Sequence, residues 1–131
     1  MVIHFPIALF IAGTIFDFLA QWSGKKTLAV AAYYNLLAAA VSTLPAIATG
    51  LLAWQLALEG QRLKGTLLAH LTVACTTSVV IWLAGWLHYR AKGNPERPLS
   101  SYRLILDFVG VLLVAVTGHL GGFLSGVNGS G

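Results

Sequence analysis

Charge is the scarcest property of this sequence. Of 131 residues only 9% are Asp, Glu, Lys or Arg, whereas 57% are hydrophobic. A soluble domain carries about a quarter charged residues, so this chain lacks the polar groups to cover a water-facing surface. Cysteine is nearly absent as well. Cys75 stands alone, which excludes an internal disulfide, and no CxxCH motif is present for covalent haem attachment. Only four acidic residues occur, Asp17, Glu59, Glu96 and Asp107, too few for a carboxylate-rich metal cage. No basic segment precedes the first apolar run, so no signal-peptide pattern is present. No basic stripe with interleaved aromatics occurs, which argues against nucleic acid as a partner. These shortages exclude an ordinary soluble domain and a disordered chain.

What is abundant is long apolar sequence. Four stretches, about 3–21, 28–58, 66–89 and 102–125, approach or exceed the roughly 20 residues that a helix needs to cross a bilayer. The second is longer than a crossing requires and predicts tilt or projection, with a kink at Pro45. The connections QWSGKKT, EGQRLKGT and HYRAKGNPERPLSSYR are short and polar. Short connections make successive helices antiparallel neighbours, so the expected fold is all-α: a single-domain, up-down, four-helix bundle integral to the lipid bilayer, over residues 1–131. The terminal GVNGSG has a flexible composition.

Lysine and arginine placement predicts orientation. The first and third connections hold Lys25, Lys26, Arg90, Lys92, Arg97 and Arg103, against Arg62 and Lys64 in the second. That split places the first and third connections in the cytoplasm and both termini outside, in a bacterial inner membrane. Trp22, Tyr33, Tyr34, Trp86, Tyr89 and Tyr102 fall at the cytoplasmic ends, as an aromatic belt does.

Three histidines fall at one depth. His4 opens the first helix, and His70 and His119 lie about a turn inside the outer ends of the third and fourth. Ionisable groups inside a membrane are costly and point to function. Two imidazoles across a gap suit a b-type haem, with His70 and His119 as the axial pair and His4 donating to a propionate. The alternative pair is His4 with His70. Gly118 and Gly122 flank His119 and share a face, and Gly50 reaches a similar depth, so these glycines make room for a macrocycle. Arg62, with Lys64, Gln61 and Trp54, is placed to meet propionates. Against this stand three plainer readings: GxxxG as a helix-packing device, solvated interfacial histidines, and a zinc or copper site on the same imidazoles.

His88 lies 18 residues after His70, about 27 Å along the same face, and reads as an interfacial residue beside Tyr89 and Arg90. Arg103 stands four residues before Asp107, which predicts a structural ion pair within the fourth helix. Asp17 lies at the same inner boundary. A proton or cation pathway is the sharper reading of these carboxylates, but no matching carboxylate continues it in the outer half. Cys75 reads as a small packing residue.

The motifs His4-Phe5-Pro6-Ile7-Ala8-Leu9, Thr49-Gly50, His70 and Thr117-Gly118-His119-Leu120-Gly121-Gly122, followed by Leu124 and Gly126, resemble the bacterial predicted-membrane-protein family called domain of unknown function twenty-two thirty-one. The resemblance extends over nearly the whole chain. It implies a four-helix membrane protein with a redox role, in which His4, His70 and His119 belong to one motif set. Members often carry another His-Pro ahead of HFP, where this chain has Met1-Val2-Ile3. The expected function is therefore electron transfer through haem b near the periplasmic face, as a subunit of a redox chain or complex. The rivals are a cofactor-free membrane anchor of such a complex, and a small transporter or histidine-based metal-binding protein. Nothing resembles a nucleophile with its base, so no catalytic residue is assigned. No feature requires a quinone.

Overall fold

Apolar sequence of this length makes helices, because a backbone in lipid must satisfy its own hydrogen bonds. The structure, a computed structural model, describes residues 4–56, 59–60, 62–92 and 101–124. It contains four helices: α1 (His4–Ser23), α2 (Lys26–Leu56), α3 (Gly65–Lys92) and α4 (Tyr102–Leu124). All four are long and apolar enough to cross a membrane. Gln61, Arg97 and Gly126, singled out in the sequence, lie outside the described residues.

Local chemistry sets the ends. Pro6 sits in the first turn of α1, where its missing N–H removes no helical bond. At the other end Gly24 adopts φ +67° and its N–H donates to the Ala20 carbonyl at 2.9 Å, closing α1 in a left-handed cap. Two residues later α2 begins, so the turn reverses the chain tightly. α2 runs unbroken through Pro45.

Each helix packs on the next, and α4 closes against α1, leaving α1 and α3 diagonal. Close approach depends on small residues. A Cβ on Gly13 would lie 2.7 Å from Leu36 Cγ, and one on Gly110 would lie 2.5 Å from Phe10 Cζ. The core is Phe10, Leu36, Ala39, Ala40, Ile81, Ala84 and Val114. Large apolar side chains such as Phe18, Val79, Ile105 and Phe108 face outward, as a lipid environment requires. Cys75 also faces outward, which corrects its reading as a packing residue. In a layer beyond the core the hydroxyls of Thr77 and Thr117 meet at 2.8 Å, joining α3 to α4. Trp82 Nε1 donates to Thr43 Oγ1 at 3.0 Å, joining α3 to α2.

Candidate functional site

The buried faces carry the site. On α1 the buried positions are Pro6, Phe10, Gly13, Asp17 and Ala20. On α3 they are Thr77, Ile81, Ala84, Gly85 and His88, and on α4 Arg103, Asp107, Gly110 and Val114. Spacings of three and four keep each set on one helical face. Toward the α1–α2 and α3–α4 connections these faces carry Asp17 on α1, His88 on α3 and Arg103 with Asp107 on α4, and there the three faces meet.

The result is a four-residue polar cluster walled off from solvent. Asp17 is 1% exposed, His88 5%, Arg103 6% and Asp107 0%. Arg103 Nε donates to Asp17 Oδ2 at 3.0 Å and Arg103 Nη2 to Asp17 Oδ1 at 2.6 Å. This is a two-pronged guanidinium–carboxylate pair, which fixes both groups and cancels their charge. Arg103 therefore pairs across the bundle with α1. The expected Arg103–Asp107 pair within α4 is not formed, because both residues point inward and Asp17 offers both its oxygens to the guanidinium.

His88 closes the triangle. Its Nδ1 lies 2.9 Å from the Ala84 carbonyl oxygen, which can only accept, so Nδ1 carries a hydrogen. Nε2 then points into the cluster, 3.5 Å from Asp17 Oδ2 and 4.0 Å from Asp107 Oδ2. His88 is a buried component of the site, which corrects its reading as an interfacial residue. Among the described residues, His88 Nε2 and both Asp107 oxygens have no hydrogen-bond partner. One ligand atom each from Asp17, His88 and Asp107 lies within 4.8 Å of the others. With Asp17 and Arg103 cancelling, the Asp107 carboxylate and the Nε2 lone pair face each other. A positive species between them, a proton or a metal cation, satisfies both.

The other three histidines differ in direction. His70 is half-buried on the inward face of α3, with Nδ1 buried and without a hydrogen-bond partner among the described residues. It looks onto Gly121 of α4, where an added Cβ would lie 3.3 Å from His70 Cε1. His119 is exposed and meets Phe123 edge to face at 4.8 Å. It stands two residues from Gly121, about 200° around the helix. His4 is exposed too. The structure thus brings His70 and Gly121 together and leaves His119 and His4 on outer faces. Gly118 approaches Ile7, whose Cδ1 would lie 3.9 Å from an added Cβ, and Gly50 has nothing within 4 Å. Gly122 is half-buried, and Arg62 is exposed between α2 and α3.

The candidate site residues that sequence reasoning underweighted are Asp17, His88 and Asp107. Their signal was available: each continues the small and apolar face of its own helix, where a solvated charge would not belong.

The family model described as Predicted membrane protein (DUF2231) matches residues 1–131. No curated protein and no solved structure matched the chain.

Proposed function

The chain belongs to the predicted-membrane-protein family DUF2231, and we propose that it binds a transition-metal dication of the zinc class between Asp17, His88 and Asp107. The observation that supports this reading is the convergence of three buried donors, of which His88 Nε2 and the Asp107 carboxylate have no hydrogen-bond partner among the described residues. Imidazole with carboxylate oxygens is a zinc-type donor set. The His88 Nδ1–H bond to the Ala84 carbonyl is the outer contact that orients a metal-binding imidazole. The Asp107 carboxylate offsets one of the two positive charges, and Asp17 would offset the second only where Arg103 releases it. The six-to-two basic split supports a site near the cytoplasmic face of a bacterial inner membrane, with both termini outside. Titration of detergent-solubilised, chelator-treated protein with Zn²⁺ or Co²⁺ tests the reading. One ion per chain is expected, lost in His88→Ala and Asp107→Asn and kept in His4→Ala. A wild-type chain and variants that all bind nothing would overturn it.

A second reading is haem b with electron transfer near the periplasmic face, to redox partners or within a larger membrane complex. Its support is His70, whose buried Nδ1 looks onto the gap left by Gly121. His119, with His4 as the alternative, would supply the second imidazole. The absorption spectrum of purified protein decides. A Soret band with low-spin character, lost or turned high-spin in His70→Ala and His119→Ala but unchanged in His88→Ala, carries this reading. A colourless preparation from haem-replete cells rejects it.

A further inference from the structure

We propose that Arg103 is the built-in competitor of the cation site: its guanidinium and the bound metal ion take Asp17 in turn, and loading requires Arg103 to let go. This rests on the metal reading of Asp17, His88 and Asp107.

Three observations carry it. The first is occupancy of donors. Both Asp17 oxygens are taken by Arg103, at 3.0 and 2.6 Å, whereas both Asp107 oxygens and His88 Nε2 lack hydrogen-bond partners among the described residues. The site therefore has two donors ready and a third engaged by a cation of the protein itself. The second is charge. Asp17, Asp107 and Arg103 together leave one negative charge beside a neutral imidazole. A dication held with Arg103 still in place leaves one net positive charge in a buried site, and like charges repel strongly where the dielectric is low. Moving the guanidinium away from Asp17 both frees the third donor and relieves that repulsion.

The third observation is position. Arg103 lies one helical turn closer than Asp107 to the start of α4, between the cluster and the exposed Ser101 and Tyr102. On the opposite side Phe10, fully buried, sits against Gly110 and Val80. The long arginine side chain can swing toward the start of α4 without unwinding it.

The test compares wild-type protein with Arg103→Gln and Arg103→Lys in the same Zn²⁺ titration, with helix content checked by circular dichroism. Arg103→Gln, which removes the competitor, is expected to bind at least about tenfold tighter than wild type. Arg103→Lys, which keeps the charge but not the fork, falls between them. A residue that only positions Asp17 gives the opposite sign. In wild-type protein, where folding of a variant is not in question, phenylglyoxal modification of Arg103 followed by mass spectrometry is expected to speed up on adding Zn²⁺. Equal or weaker binding by a folded Arg103→Gln, or a modification rate that Zn²⁺ leaves unchanged or slows, overturns the proposal while the metal reading stands. Zn²⁺ binding by neither wild type nor Arg103→Gln overturns the metal reading, and the role of Arg103 with it.

Discussion

Phe10 and Gly110 offer a test of the packing that holds the site in place. A Cβ on Gly110 would lie 2.5 and 2.6 Å from Phe10 Cζ and Cε1, and 3.2 Å from Val80 Cγ1. Carbon atoms pack at about 3.5–4.0 Å, so the ring must retreat by about 1 Å. Phe10 is 0% exposed and sits in the core, so its retreat pushes other residues. Overpacking of this kind costs about 1–3 kcal/mol, offset by up to about 1 kcal/mol from alanine's better helix propensity. Gly110→Ala is therefore expected to destabilise by about 1 kcal/mol. Phe10→Leu alone loses buried ring volume and costs about 1–2 kcal/mol. Combined, the shorter leucine leaves room for the new methyl, and the clash disappears. The double variant should be more stable than the sum of the singles by about 1–2 kcal/mol. Unfolding by SDS in mixed micelles, followed by tryptophan fluorescence, measures all four proteins. Additivity within about 0.5 kcal/mol would refute the contact. Gly118→Ala is the control: its methyl meets only Ile7, at 3.9 Å, so the propensity gain should appear without a clash.

Removing Asp17 and removing Asp107 should differ. Asp17→Asn leaves Arg103 buried without its anionic partner and is expected to cost about 3–5 kcal/mol in metal-free protein, whereas Asp107→Asn, which breaks no hydrogen bond among the described residues, should cost clearly less; the reverse order in the same unfolding assay would be incompatible with the pairing. For orientation, a reporter fused to the C-terminus is expected to be active outside the cytoplasm, and cytoplasmic activity would invert the bundle while leaving its four spans. On the haem reading, Gly122→Leu should lower haem content in folded protein, and unchanged occupancy would remove that glycine from any pocket.

The four helices were legible because bilayer length and an apolar run translate directly into one another, and short polar connections marked the reversals between them. Position along each helix was countable, at 1.5 Å per residue. Rotation about the helix axis was not. Helices apolar on nearly every side give no strong stripe to orient them, so His4, His70 and His119 were expected at one level yet could not be aimed. For the same reason Arg103 was matched with Asp107, the neighbour that local spacing supplies, rather than Asp17 on another helix. The tie between α1 and α4 depends on the register of residues 86 positions apart, which no spacing rule contains. His88 was discounted because it adjoins Tyr89 and Arg90, yet only those two face out. The signal that separates them is the run Thr77, Ile81, Ala84, His88, each on the buried side of α3.

The Phe10 layer also has an electrical meaning. Carrying one charge across a whole membrane costs about 2.3 kcal/mol per 100 mV. Most of that voltage falls across dry material, and Phe10, Ile81, Gly110 and Val114 form a buried apolar layer of this bundle. The Asp17–His88–Asp107 cluster lies on one side of it, about 6–9 Å inside the ends of α1 and α3. On the metal reading, an ion that reaches the cluster without passing that layer crosses only a shallow part of the field. Its affinity should therefore respond weakly to membrane potential, and a substitution that opens the Phe10 layer would make the same site voltage-sensitive without touching one of its ligands.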